Sequence, residues 1–171
     1  MSEKRPPIIS EAHFPTIREH LPILIGNGLK IGIVTSRFNA EFCRELLAAT
    51  INELRRLGVR DPDITIASVP GALEIALALQ NMAQSGRFGA LIALGCVIRG
   101  ETYHFEIVAN ESSRALMDVQ LTTGIPIANG ILTCENAAQV EERVIAKGED
   151  CARAAVEMAH LCQELRHKGY Q

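Results

Sequence analysis

GCVIRGETYHFE, residues 95–106, changes its pattern in the middle. It overlaps an apolar run, Ala90 to Val97, that is too short to cross a membrane and has the length of a strand buried on both faces. That run breaks at Gly100. Beyond it, from Glu101 and Thr102, the residues Phe105, Val108, Ala109 and Ser112 recur at helical spacing. A buried strand therefore passes into a helix across a glycine. The first turn of a helix carries backbone N–H groups without internal partners and the positive end of the helix dipole, so an anion is stabilised there. His104, expected one turn inside, is a side chain able to exchange a proton near neutral pH. On local pattern alone, an ordinary turn at Gly100, a cap at Thr102 and a surface histidine describe the stretch equally well.

The rest of the chain repeats the same unit. Leu29 to Val34 is β-rich and leads through Arg37, Phe38 and Asn39, with Asn39 as the expected cap, into a helix that ends at Gly58. Ile64 to Val69 is a second strand, followed by Pro70-Gly71 and a helix from about Leu73 to Ala83. The third unit is the one already quoted. Ile125 to Thr133 forms a fourth strand and leads through Asn136 into a helix from Ala137 to Lys147. Gly148 is expected to break that helix, and Cys151 to Leu165 to form a last one, with Ala155, Met158, Ala159 and Cys162 on one face. Four βα units in succession predict an α/β fold with a four-stranded parallel sheet and helices on both faces. Residues 1–27 contain Pro6, Pro7, Pro15 and Pro22 and read as a tail, whose last piece, Ile23 to Ile25, is suited to an edge strand, on this subunit or another. Residues 28–171 form the domain.

Composition narrows the class. The chain has 171 residues, 47% of them hydrophobic and 22% charged, with a net charge of −3. That suits one globular domain and offers no basic field for nucleic acid. No stretch has the length of a membrane helix, and the N-terminus lacks the apolar core of a signal peptide. Five cysteines without a C-x-x-C pair signal neither a disulfide framework nor a zinc site, and buried free thiols suit a reducing cytoplasm.

In an open parallel sheet, ligands bind beyond the carboxyl ends of the strands. Four segments qualify: Ser36 to Asn39, Val69 to Glu74, Cys96 to His104, and Thr133 to Asn136. They contain no Ser-His-Asp set, no metal-ligand cluster and no phosphate-binding glycine fingerprint. Phe38 at a strand end covers the core edge or faces a ligand, and Glu74 is a helix-start charge or a ligand contact. Arg143, beside Glu141 and Glu142, reads most simply as a solvated charge.

Taken together, IGIVTSRFN, VPGALEIALAL, ALGCVIRGETYHFE, GIPIANGILTCEN and KGEDCARAAVEMA, in that order from about residue 28 to the C-terminus, resemble the 6,7-dimethyl-8-ribityllumazine synthase family. The resemblance implies a flavodoxin-like three-layer sandwich. It also implies condensation of 5-amino-6-ribitylaminouracil with 3,4-dihydroxy-2-butanone 4-phosphate, with loss of phosphate and water and without a metal or cofactor. It implies that Phe38 stacks on the uracil, that Ala72, Leu73 and Glu74 meet the ribityl chain, and that Cys96, Val97 and Ile98 bind the uracil through backbone. Gly100, Glu101 and Thr102 would hold the phosphate, His104 would transfer protons, and Arg143 would reach the phosphate from a neighbouring subunit of a pentamer.

Three features depart from the family pattern. Asn129 stands where many members place an aromatic that packs on the lumazine ring, and Leu73 and Ala76 replace a common aromatic and a common proline. The segment from Arg143 to Lys147 is about four residues shorter than in many relatives, which bears on Lys147 and on assembly; it favours an isolated pentamer, or a pair, over a closed shell. The alternative reading is a relative that binds flavin or lumazine, or builds a shell, without turnover.

Overall fold

The computed structural model describes Ile8 and residues 16–167. Strands β1 (Ile31–Ser36), β2 (Ile64–Val69), β3 (Ala90–Ile98) and β4 (Ile127–Cys134) form one all-parallel sheet in the order β2-β1-β3-β4. Ile31 lies opposite both Ile64 and Ala90. That register puts Ile31, Ile33, Ile92, Leu94 and Leu132 in one apolar layer, and Val34, Leu91, Ala93 and Ile131 in the other. Every residue of β1 is buried, as a central strand covered on both faces requires. β2, at an edge, leaves Thr65, Ile66 and Ser68 exposed.

Helices α1 (Ala40–Arg56) and α5 (Val144–His167) cover the first layer, and α2 (Ile75–Gln84) and α3 (His104–Thr123) the second. A short α4 (Ala137–Glu141) follows β4. The chain is thus a flavodoxin-like three-layer sandwich, with its strand order reversing between β1 and β3.

Several boundaries differ from the sequence reading. β4 begins at Ile127 rather than Ile125, because Pro126 has no N–H to give the ladder and only accepts, from Leu91 N at 2.9 Å. Gly148 does not end a helix. α5 runs through it, and the glycine is where α5 meets α1: a Cβ there would stand 2.7 Å from Leu46 O and 2.8 Å from Ala49 Cβ. The chain instead turns at Glu142 and Arg143, where Arg143 N donates to Val140 O at 2.9 Å. The buried face of α5 is Cys151, Ala152, Ala155, Val156 and Ala159, with Met158 exposed.

Ile23 to Ile25 forms no strand within this chain. It lies against the ends of α1 and α5, with Gly26 N donating to Leu57 O at 2.7 Å and His160 Nε2 2.7 Å from Ile25 O. Of the tail expected over residues 1–27, residues 1–15 lie outside the described residues, Ile8 apart. Among the described residues, no helix is long and apolar enough to cross a membrane.

Candidate active site

A cavity of about 520 Å³ opens at the carboxyl ends of β1, β2 and β3, where the strand order reverses. The chain leaves β1 through Arg37, Phe38 and Asn39. Arg37 N and Phe38 N donate to Val69 O (2.8 Å) and Pro70 O (3.1 Å), so the β1–β2 ladder continues past the strands and carries Phe38 to the cavity. Phe38 is 70% exposed there. Asn39 does not cap α1 with its side chain. Its backbone is left-handed, φ 54°, and Nδ2 donates instead to Cys96 O at 3.0 Å, tying the exit of β1 to the end of β3. Asparagine is among the few residues that tolerate this conformation.

After β2, residues Ala72 to Glu74 form a single 3-10 turn and α2 starts only at Ile75, two residues later than the expected start at Leu73. Ala72, Leu73 and Glu74 all line the cavity, and the Glu74 carboxylate folds over Gly71, with Oε2 3.1 Å from where a Cβ would be. Cys96, Val97 and Ile98, at the end of β3, form another wall. The Cys96 thiol is buried and pushed up to about 12 by that burial, so it stays protonated at neutral pH and the residue is no nucleophile.

Gly100 and Thr102 bring the following loop to the cavity, and His104 lines it as the first residue of α3. The sequence reading put His104 one turn further in. Tyr103 already has helical angles but gives no side-chain cap, and helical hydrogen bonding begins with Ile107 N to Tyr103 O. The N–H groups of residues 104–106 therefore have no helical partner.

Three expected contacts lie elsewhere in the chain. Glu101 is in the same loop but exposed and off the cavity wall. Asn129 is exposed on β4, at the sheet edge, where its Oδ1 accepts from Ile131 N at 3.0 Å. Arg143 borders a second groove of about 370 Å³ with Lys147, Glu142 and Asp150, and donates from Nη1 to Gln139 O at 2.8 Å. Among the described residues, no lysine or arginine lines the first cavity.

Sequence reasoning missed Phe105 and Val108, which also line the cavity. Val108 stands one turn beyond His104 on α3, a spacing that marks a shared face. It also missed Asn39 as a brace, since its side-chain partner is 57 residues away. No group of three or more His, Cys, Asp or Glu side chains able to hold a metal ion occurs among the described residues.

Comparison with known proteins places the chain in a family. A family model for 6,7-dimethyl-8-ribityllumazine synthase matches residues 28–163. Proteins named 6,7-dimethyl-8-ribityllumazine synthase are similar over nearly their whole length. The one from Azoarcus sp. is 57% identical over 155 residues, covering 91% of this chain and 99% of its own. The Paraburkholderia phymatum protein is 56% identical over 149 residues, 87% of each chain. The Burkholderia multivorans protein is 55% identical over 153 residues, 90% of this chain and 89% of its own.

Proposed function

We propose, from the premise that this chain belongs to the 6,7-dimethyl-8-ribityllumazine synthase family, that the 520 Å³ cavity holds both substrates of that enzyme. The chain is a transferase of riboflavin biosynthesis. It condenses 5-amino-6-ribitylaminouracil with 3,4-dihydroxy-2-butanone 4-phosphate to give 6,7-dimethyl-8-ribityllumazine, phosphate and water. The observation that carries the placement is the convergence of Phe38, Glu74, Cys96 to Ile98, Gly100, Thr102 and His104 on one cavity at the strand-order switch.

In this reading the exposed Phe38 ring stacks on the uracil, and the backbone of Cys96, Val97 and Ile98 reads its imide edge with alternating N–H and C=O groups. Ala72, Leu73 and Glu74 meet the ribityl chain. The N–H groups at the start of α3 that lack helical partners, and the loop from Gly100 to Thr102, Glu101 included, receive the phosphate. His104 gives and takes protons as the imine forms and the ring closes. Holding two intrinsically reactive molecules in register supplies much of the acceleration.

Among the described residues of its own subunit, no lysine or arginine lines this cavity to meet a phosphate dianion. Arg143, with Lys147 beside it, lies in a separate groove. We therefore place Arg143 at the phosphate of a neighbouring subunit, in a closed ring of five, with Asn129 at the same junction as a polar contact to the ring. Residues 28–171 act as the catalytic domain and the preceding segment as an appended tail. Five free thiols fit a reducing cytoplasm.

Turnover tests the reading. The purified protein mixed with both substrates should form the lumazine chromophore above the uncatalysed rate and saturate in each substrate. A background rate from a folded, oligomeric protein would overturn it.

A further inference from the structure

Arg99 stands at the base of the loop that brings Gly100 and Thr102 to the cavity, yet it is absent from the cavity wall. Its backbone N–H donates to Cys134 O at 2.9 Å, extending the β3–β4 ladder up to the loop. Its guanidinium does three further things. It pairs with Glu135 at the end of β4 (Nε to Oε2, 2.6 Å), pairs with Glu106 in the first turn of α3, and lies over the Phe105 ring at 4.2 Å. Arg99 thus joins both ends of the loop, the residue before Gly100 and the residues after His104, and fastens them to β4.

Glu106 gives this arrangement its chemical meaning. It is the third residue of α3, and a carboxylate there is the natural resident anion of a helix N-terminus. One of its oxygens goes to Arg99, and the other, Oε2, is buried without a hydrogen-bond partner. The guanidinium holds the Glu106 carboxyl below the usual carboxylate range, so the group is ionised at neutral pH. An ionised carboxylate in the first turn repels an incoming phosphate and competes with it for the same dipole. Arg99 compensates that charge and draws it to one side.

We propose that Arg99 is a positioning residue that, by pairing Glu106 and Glu135, shapes the loop from Gly100 to Tyr103 and keeps the start of α3 receptive to the substrate's phosphate. This rests on the proposed placement of the phosphate at that loop. Arg99 itself touches no substrate.

The test is a steady-state comparison of Arg99→Gln, Arg99→Lys, the double variant Arg99→Gln/Glu106→Gln, and Gly100→Ala. Arg99→Gln should raise KM for the butanone phosphate roughly 5- to 30-fold and leave KM for the uracil within about twofold, with thermal unfolding near that of the parent. Arg99→Lys, which keeps the charge but not the planar fork, should fall between. Removing the Glu106 charge in the double variant should recover most of the lost affinity. Equal changes in both KM values, or no recovery in the double variant, would overturn the proposal and leave Arg99 a purely structural brace. Gly100→Ala separates this from the reading beneath it. If that variant raises the phosphate-substrate KM while Arg99→Gln does not, the phosphate site stands and the role of Arg99 falls; if neither moves it, both fall.

Discussion

Lys147 donates its backbone N–H to the carbonyl of Arg143 at 2.8 Å, so the two cations stand one helical turn apart and border the same groove. The short connection that cast doubt on Lys147 therefore still delivers it beside Arg143. A guanidinium grips a phosphate with paired hydrogen bonds, whereas an ammonium acts as a point charge. Arg143→Ala should raise KM for the butanone phosphate roughly 10- to 100-fold with little change for the uracil, and Lys147→Ala by no more than about 5-fold. Steady-state kinetics of the two variants checks this. A larger loss from Lys147→Ala, or an equal loss for both substrates, would remove Arg143 from the phosphate.

Asn39 joins two jobs that substitution can separate. Its left-handed backbone costs an ordinary residue about 1 kcal/mol or more, and its amide brace to Cys96 O is worth about 1 kcal/mol. Asn39→Gly should lose only the brace, while Asn39→Ala should lose the brace and gain the strain. Denaturant unfolding should rank the alanine variant below the glycine variant, and both should bind the uracil more weakly because Phe38 and Cys96 lose their tie. Equal stabilities for the two variants would show that the backbone conformation carries no cost here.

Gly100 is a glycine that the fold of the single chain does not demand. It has no positive φ, and a Cβ built on it meets nothing within 4 Å. Gly100→Ala should leave the melting temperature unchanged yet raise KM for the butanone phosphate about 10-fold, because the added methyl occupies space the phosphate approaches. A stable variant with parental KM would take the phosphate away from this loop.

Acid sensitivity should centre on the α1–α5 contact. Glu53 is buried and bonded to Arg56 (2.6 Å) and Arg153 (2.7 Å), and the Arg56 hydrogen bond leads in holding its carboxyl below the usual range. A carboxylate depressed by folding adds stability that is fully present above its unfolded pKa, about 4.3, and is lost as pH falls through the lower folded value. Glu53→Gln should cost about 1–3 kcal/mol at pH 7, with the difference from the parent shrinking as pH drops below about 4. Urea melts at several pH values read this directly. A pH-independent difference would assign the loss to packing rather than charge.

Much of this architecture is legible in the chain. β2 is found at the expected residues, Ile64 to Val69, because an apolar run bounded by turn residues has one good use in such a fold. Gly148 misleads because glycine ends helices and also lets two helices touch, and only Leu46 and Ala49 on α1 decide between those meanings. Asn39 misleads in the same way, since a cap is a local bond and its actual partner comes from another strand. The cavity wall was foreseeable where the residues follow strand ends. Asn129, near the start of the edge strand β4, and Arg143, in the turn between α4 and α5, follow no strand end and lie off the cavity of their own chain. Arg99 escaped notice because its three partners come from two later elements.

If one site is built from two chains, as proposed above, subunit mixing should reveal it. His104→Ala alone should slow turnover by about 10²- to 10⁴-fold, and Arg143→Ala alone should also be defective at low butanone phosphate. Co-assembled at equal amounts, the two variants should regain activity at about a quarter of the sites, those where an intact cavity meets an intact Arg143. Activity no greater than the sum of the two separate variants, in confirmed mixed oligomers, would contradict a site shared between subunits.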